Sequence, residues 1–207
     1  MALSPANSFN KDLLALILRA AYLAEIKEWD NRAHLERIRK YTFSIASGTE
    51  LALQDAEAIA VASMLHDFGK GQMPEALLSK SGHFEQHEWQ TVEAHTLNGA
   101  QILSGSTSHI LQIAETIALT HHERWDGSGY PHRLKGEAIP LPGRIVALAD
   151  VFDALTTPRP YKSPVDTETG LQMVQQASGT LFDPYIVKVF TTKFPDIIRS
   201  VIRSVNL

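Results

Sequence analysis

His121-His122-Glu123-Arg124-Trp125-Asp126-Gly127-Ser128-Gly129-Tyr130-Pro131 is the stretch on which the reading of this chain turns. It closes an apolar run at 108–122 whose spacing of Ile, Leu and Ala predicts a helix. It then breaks at once into a loop with two glycines, an aromatic ring and a proline. Successive helical side chains point about 100° apart, so two adjacent imidazoles fill a core poorly. They suit another task, holding two metal ions a few ångströms apart with one ring nitrogen on each. The loop beyond them would then shape a pocket over the metals.

Working outward, helical patterns are predicted at 12–28, 33–47, 51–66, 85–103, 143–155, 167–178 and 184–193, with a short helix at 74–78. Gly48 marks a C-terminal stop, and six glycines and prolines make 127–142 a long structured loop. No segment alternates with period two, which predicts an all-α bundle of seven to nine helices. The 207 residues are 44% hydrophobic and 20% charged, ordinary for a globular chain with a substantial core. A net charge of −4 argues against a partner that is a nucleic-acid polymer. The absence of cysteine excludes disulfides, zinc ribbons and thiol nucleophiles. The most apolar N-terminal stretch, 13–24, is short, is interrupted by Arg19 and lacks the order of a secretion signal, so the expectation is a cytoplasmic protein without membrane insertion.

The candidate ligands sit at helix ends or faces. They are His34, His66 with Asp67, His95, His121 with His122, and Asp150 at the end of the run Arg144-Ile145-Val146-Ala147-Leu148-Ala149. A carboxylate directly after such an apolar run is partly buried and needs a cation or several hydrogen bonds. Five histidines and two aspartates suffice for two metals that share a carboxylate. Two such metals can lower the pKa of a shared water and neutralise charge on a phosphoryl group. Lys70, three residues beyond Asp67, can bring its ammonium to whatever the metals bind, and Tyr130 is the aromatic expected to touch a ligand. His83, His87, His109 and His132 are expected at the surface, Trp89 and Trp125 in packing, and Arg144 in an ion pair with Glu137 or Asp126.

These residues resemble a known family. His66-Asp67-Phe68-Gly69-Lys70 is similar to the signature of the HD superfamily, and Gly129-Tyr130-Pro131 to the second signature of its HD-GYP branch. Met73-Pro74-Glu75-Ala76-Leu77-Leu78, the segment from Glu88-Trp89 to His95, Leu134-Lys135-Gly136-Glu137-Ala138-Ile139-Pro140 and Arg159-Pro160-Tyr161-Lys162 resemble family segments in the same order, so the likeness runs from about residue 34 to 190. One departure is Lys80-Ser81-Gly82, where the family usually has Lys-Pro-Gly.

The resemblance implies an HD-superfamily helical bundle at 30–207, behind an N-terminal helical extension at 1–29. It implies two or three divalent metals, iron or manganese, and hydrolysis of cyclic di-GMP to linear pGpG, in some members on to GMP, by a metal-bridging hydroxide. The implied ligands are His34, His66, Asp67, His95, His121, His122 and Asp150, with Asp67 bridging. Asp30, one helical turn before His34, stands where some members carry a glutamate for a third metal. Arg159 and Lys162 are implied to hold the second, non-scissile phosphate. Asp153, one turn after Asp150, is expected to orient a ligand histidine or Lys162. The other readings are a module that senses a cyclic dinucleotide or a protein without hydrolysing it, and a hydrolase of cyclic GMP-AMP. Most members carry a sensory domain. Here it is expected in trans or as a protein partner, with a homodimer as a further arrangement, and the helix at 12–28 is expected as a linker, dimer or packing element.

Overall fold

The structure is a computed structural model that describes residues 11–24, 31–78, 80, 82–158 and 163–205. Among these, nine helices form and no strand does; a lone bridge joins Ser178 and Phe182. The helices are α1 (Lys11–Ala24), α2 (Asn31–Ala46), α3 (Leu53–Ala62), α4 (Glu75–Leu78), α5 (Gln86–Leu103), α6 (His109–Thr120), α7 (Leu141–Thr156), α8 (Thr167–Gln176) and α9 (Pro184–Val205). No helix among the described residues is long and apolar enough to cross a membrane.

Two apolar clusters hold these helices together. One gathers Tyr41 and Ile45 of α2, Ile145, Leu148 and Phe152 of α7, and Ile186, Phe190, Phe194 and Ile197 of α9. Phe152, Phe190 and Phe194 meet edge to face within it, with ring centroids 5.0–6.0 Å apart. The other joins Ile17 and Ala21 of α1 to Leu35, Ile59, Met64, Leu65, Ile117 and Val146. Helices α2 and α7 contribute to both clusters, and they also carry His34 and Asp150. α1 therefore packs into the core rather than standing off as a linker.

Two elements depart from the sequence expectation for stated reasons. The pattern at 51–66 predicts one helix, but α3 stops at Ala62 and the chain tightens into a 3₁₀ turn at Ser63–Leu65. The Ser63 carbonyl then accepts from both the backbone N–H and the Nδ1–H of His66 (3.2 and 2.9 Å), which swings that ring inward. At the other end, the expected stop near 193 is overridden. α9 runs on through Pro195 because Phe194 and Ile197 are buried in the first cluster. Pro142 falls in the first turn of α7, where its missing N–H costs nothing.

Candidate metal centre

The site begins with ring orientation. Nδ1 of His66, His95 and His121 faces a backbone carbonyl one turn back in its own segment: Ser63 at 2.9 Å, Val92 at 2.6 Å and Ile117 at 3.0 Å. A carbonyl only accepts, so each Nδ1 donates, and the neutral ring presents Nε2 as a lone pair. His34 on α2 is fixed in the same sense by a carboxylate, with Nδ1 donating to Asp153 Oδ2 at 2.8 Å. Burial alone would raise the Asp153 pKa, but the hydrogen bonds from His34 and Arg37 outweigh it and keep the group ionised. Burial also depresses the His121 and His122 pKa values, which keeps both rings neutral and available as donors.

The seven expected ligands converge in two groups. Ligand atoms of Asp67, His95, His121 and His122 lie within 4.8 Å of one another, as do those of His34, His66 and Asp150. Asp67, 5% exposed, faces both. Its Oδ1 stands 3.2 Å from His95 Nε2 and 3.6 Å from His121 Nε2, while its Oδ2 stands 3.1 Å from His66 Nε2 and 2.8 Å from Lys70 Nζ. Burial pushes the Asp67 pKa up, yet the Lys70 ammonium and His66 hold it well below the usual carboxylate range.

This donor set fits divalent cations. Nε2 of His95 and of His121 approach to 3.4 Å, and two lone pairs at that distance repel without a cation between them. Asp67 Oδ1 is buried and accepts no hydrogen bond from the described residues, although two nitrogens stand beside it. A carboxylate in that position needs a positive partner. Neutral imidazole with carboxylate, and no thiolate, is a ligand chemistry for first-row metals. Asp30, Arg159 and Lys162 lie outside the described residues.

The loop after His122 is built on a residue whose role the sequence did not announce. Glu123 is 3% exposed, and its carboxylate accepts from the backbone N–H of His132 (2.7 Å) and of Leu134 (2.9 Å). The backbone N–H of Tyr130 donates to the His122 carbonyl at 3.2 Å, and the Tyr130 ring stacks on the His122 imidazole with centroids 4.8 Å apart. Burial raises the Tyr130 hydroxyl pKa well above its ordinary value. The loop is also tied to the turn before α9, through Trp125 N to Leu181 O (3.2 Å) and Asp126 N to Thr180 O (2.9 Å). We expect Glu123→Ala to lower the unfolding free energy by about 2–4 kcal/mol, read from urea denaturation, because two backbone donors lose a charged acceptor.

Arg144 pairs with neither Glu137 nor Asp126; its Nη1 reaches Asp183 Oδ2 at 2.6 Å, with the guanidinium 5.9 Å from the Trp125 ring centroid. The turn before α9 comes back beside α7, so a distant acid is nearer than the loop acids. Trp89 is 45% exposed and leans on Phe84 at the surface instead of packing into the core. His83, His87, His109 and His132 are exposed, as expected.

Comparison with known proteins adds the lineage. A family model described as "HD domain" matches residues 20–186. The chain belongs to the HD domain family. Within it, the Gly129-Tyr130-Pro131 loop and the relatives below place it in the HD-GYP branch. The HD chain is 42% identical over 168 residues to a Thermotoga maritima protein named cyclic di-GMP phosphodiesterase, covering 81% of this chain and 46% of that one. It is 41% identical over 169 residues to the Xanthomonas campestris cyclic di-GMP phosphodiesterase response regulator RpfG, covering 82% and 45%. It is 39% identical over 183 residues to a Vibrio cholerae protein named 3'3'-cGAMP-specific phosphodiesterase 2, covering 88% and 35%. This chain thus spans less than half the length of these curated relatives. A solved structure titled as a cyclic GMP-AMP specific phosphodiesterase of V. cholerae shares the HD fold, with a TM-score of 0.66 at 21% identity over 91% of this chain and 50% of that one.

Proposed function

We propose that this HD domain is a metal-dependent phosphodiesterase that hydrolyses cyclic di-GMP to linear pGpG. The observation that carries the reading is Asp67, whose two oxygens face two separate groups of neutral imidazole and carboxylate donors. His34, His66 and Asp150 would hold one divalent ion, and His95, His121 and His122 the other, with Asp67 between them. We assign two ions, iron or manganese, with Asp30 at the position where some family members carry the ligand of a third. The names of the relatives support the substrate class.

Bound there, such cations supply electrophilic stabilisation of a phosphate and a lowered water pKa. The chain's own groups do the rest. Lys70, 2.8 Å from Asp67 Oδ2, keeps that carboxylate ionised and stands where it can meet a phosphate oxygen or the leaving 3′ oxygen. Asp153, held by Arg37 Nε at 2.6 Å, fixes the tautomer and aim of His34. Tyr130 forms a wall against His122, and Arg159 with Lys162 would grip the second phosphate. Residues 30–207 form the catalytic unit, with 1–29 as an extension, in the cytoplasm where cyclic dinucleotide signals are read.

The 39% identical 3'3'-cGAMP-specific relative favours cyclic GMP-AMP as a second substrate. The test is direct. Protein loaded anaerobically with iron or manganese is incubated with each cyclic dinucleotide, and products are resolved by chromatography. Linear product is expected from at least one; binding without product under every metal would leave a sensing module instead.

A further inference from the structure

Beside the metal centre lies a cleft of about 630 Å³, between α5 and the loop at 127–133. That is within the range of roughly 300–1,000 Å³ for small-molecule sites. Tyr130 is the wall it shares with the metal centre, since the same ring that lines the cleft stacks on His122. The cleft thus adjoins the metal centre, within reach of a nucleoside attached to a phosphodiester that the metals would hold. The floor carries Ala94 and Leu97 of α5, which suit the face of a planar base. Two opposite charges line it from different elements, Glu93 from α5 and Arg133 from the loop. Neither forms an ion pair among the described residues, so the two do not neutralise each other across the gap. Arg133 adopts a φ of +54°, a region that side chains other than glycine enter at a cost, and it lines the cleft from there.

We propose that Glu93, together with Arg133, makes this cleft a guanine subsite and is the residue that sets the base preference of the site. The proposal rests on the phosphodiesterase reading above and deepens it. Guanine offers two adjacent donors, N1–H and N2–H, and a carboxylate offers two acceptors and no donor. Guanine also offers O6 and N7 as acceptors, and a guanidinium matches those. Adenine inverts both relations. Its N1 lone pair would face the Glu93 carboxylate, and its N6 amino group would face Arg133. A site built to hydrogen-bond one pattern rejects the inverted one strongly, because its own groups are left unpaired. Gln90, one turn earlier on the same helix, also lines the cleft but presents a mixed amide that discriminates less.

The test uses Glu93→Gln and Glu93→Ala in the full chain. Gln replaces one acceptor by a donor, the pattern that suits adenine. Glu93→Gln is expected to lower kcat/KM for cyclic di-GMP by about 10- to 100-fold, with a smaller loss or a gain for cyclic di-AMP. Bound metal, measured by elemental analysis, should stay at the wild-type level. In parallel, equilibrium binding of GMP and AMP is measured on all three proteins. Wild type should prefer GMP, and both variants should lose that preference. An unchanged ratio between the two cyclic dinucleotides in an active variant overturns the assignment, and so does a GMP preference that survives in Glu93→Ala. If wild type hydrolyses neither compound, the phosphodiesterase reading fails. A GMP preference that depends on Glu93 would still support the subsite, and its absence would overturn it.

Discussion

Asp67→Asn should cut cyclic dinucleotide hydrolysis by more than about 10³-fold and should release bound metal, with the helical fold intact. Asn matches Asp in shape, so packing is not disturbed. What changes is the donor set. One oxygen becomes an NH₂ group, which must face either the His95 and His121 nitrogens or His66 and Lys70, depending on how the amide is turned. In the first orientation it removes the anionic donor from one group of ligands. In the second it sets N–H bonds against the Lys70 ammonium. Neither orientation leaves an anion shared by both groups. Elemental analysis of the purified variant, beside product formation and far-UV circular dichroism, checks the expectation. A variant that keeps its metal and near-normal turnover would show that Asp67 is not the shared ligand.

Gly69→Ala should destabilise the fold by at least about 3 kcal/mol and weaken metal binding with it. A Cβ at Gly69 would lie 2.0 Å from the His95 carbonyl oxygen and 2.5 Å from the Gly99 nitrogen. Both are backbone atoms of α5, so no side chain can swing aside to make room. The helix would have to back away from the turn that carries Asp67, and the 3.2 Å approach of Asp67 Oδ1 to His95 Nε2 would open. Gly71, two residues on, is the control. Its Cβ would meet nothing nearer than 3.6 Å, at Ala24, and Gly71→Ala should stay within about 0.5 kcal/mol of the parent. Denaturant midpoints of the two variants make the comparison, and equal losses would exclude close packing as the reason for Gly69.

The candidate ligands were legible because their chemistry is unusual for where they stand. Five imidazoles and two carboxylates at helix ends or faces have few structural uses as a set, and the fold brings all seven into two groups. Boundaries were less legible. The Ala-rich run to His66 reads as one helix, and nothing in it reveals that Ser63 turns the chain so that its carbonyl can hold the His66 ring. Pro195 reads as a stop, yet the burial of its neighbours Phe194 and Ile197 prevails over local preference. Glu123 was illegible for another reason. Its partners are backbone amides nine and eleven residues away, and amides leave no mark in a pattern of side chains. The match of Arg144 with Asp183 needed the return path of the chain beside α7, which no local spacing encodes.

Three of the imidazoles are aimed by carbonyls of their own helical turns. Each nitrogen's direction is thus set locally, before distant segments meet, and no contact between helices is needed to establish it. A cation that gathers such nitrogens becomes a cross-link between segments far apart in sequence. Because such a site is assembled only in the folded chain, the free energy of binding the cation adds to that of folding. In a chain without a single cysteine, the metal centre is then a staple of the bundle as well as its chemical centre. Loss of the cations would loosen how the helices sit on one another while leaving the helices themselves in place.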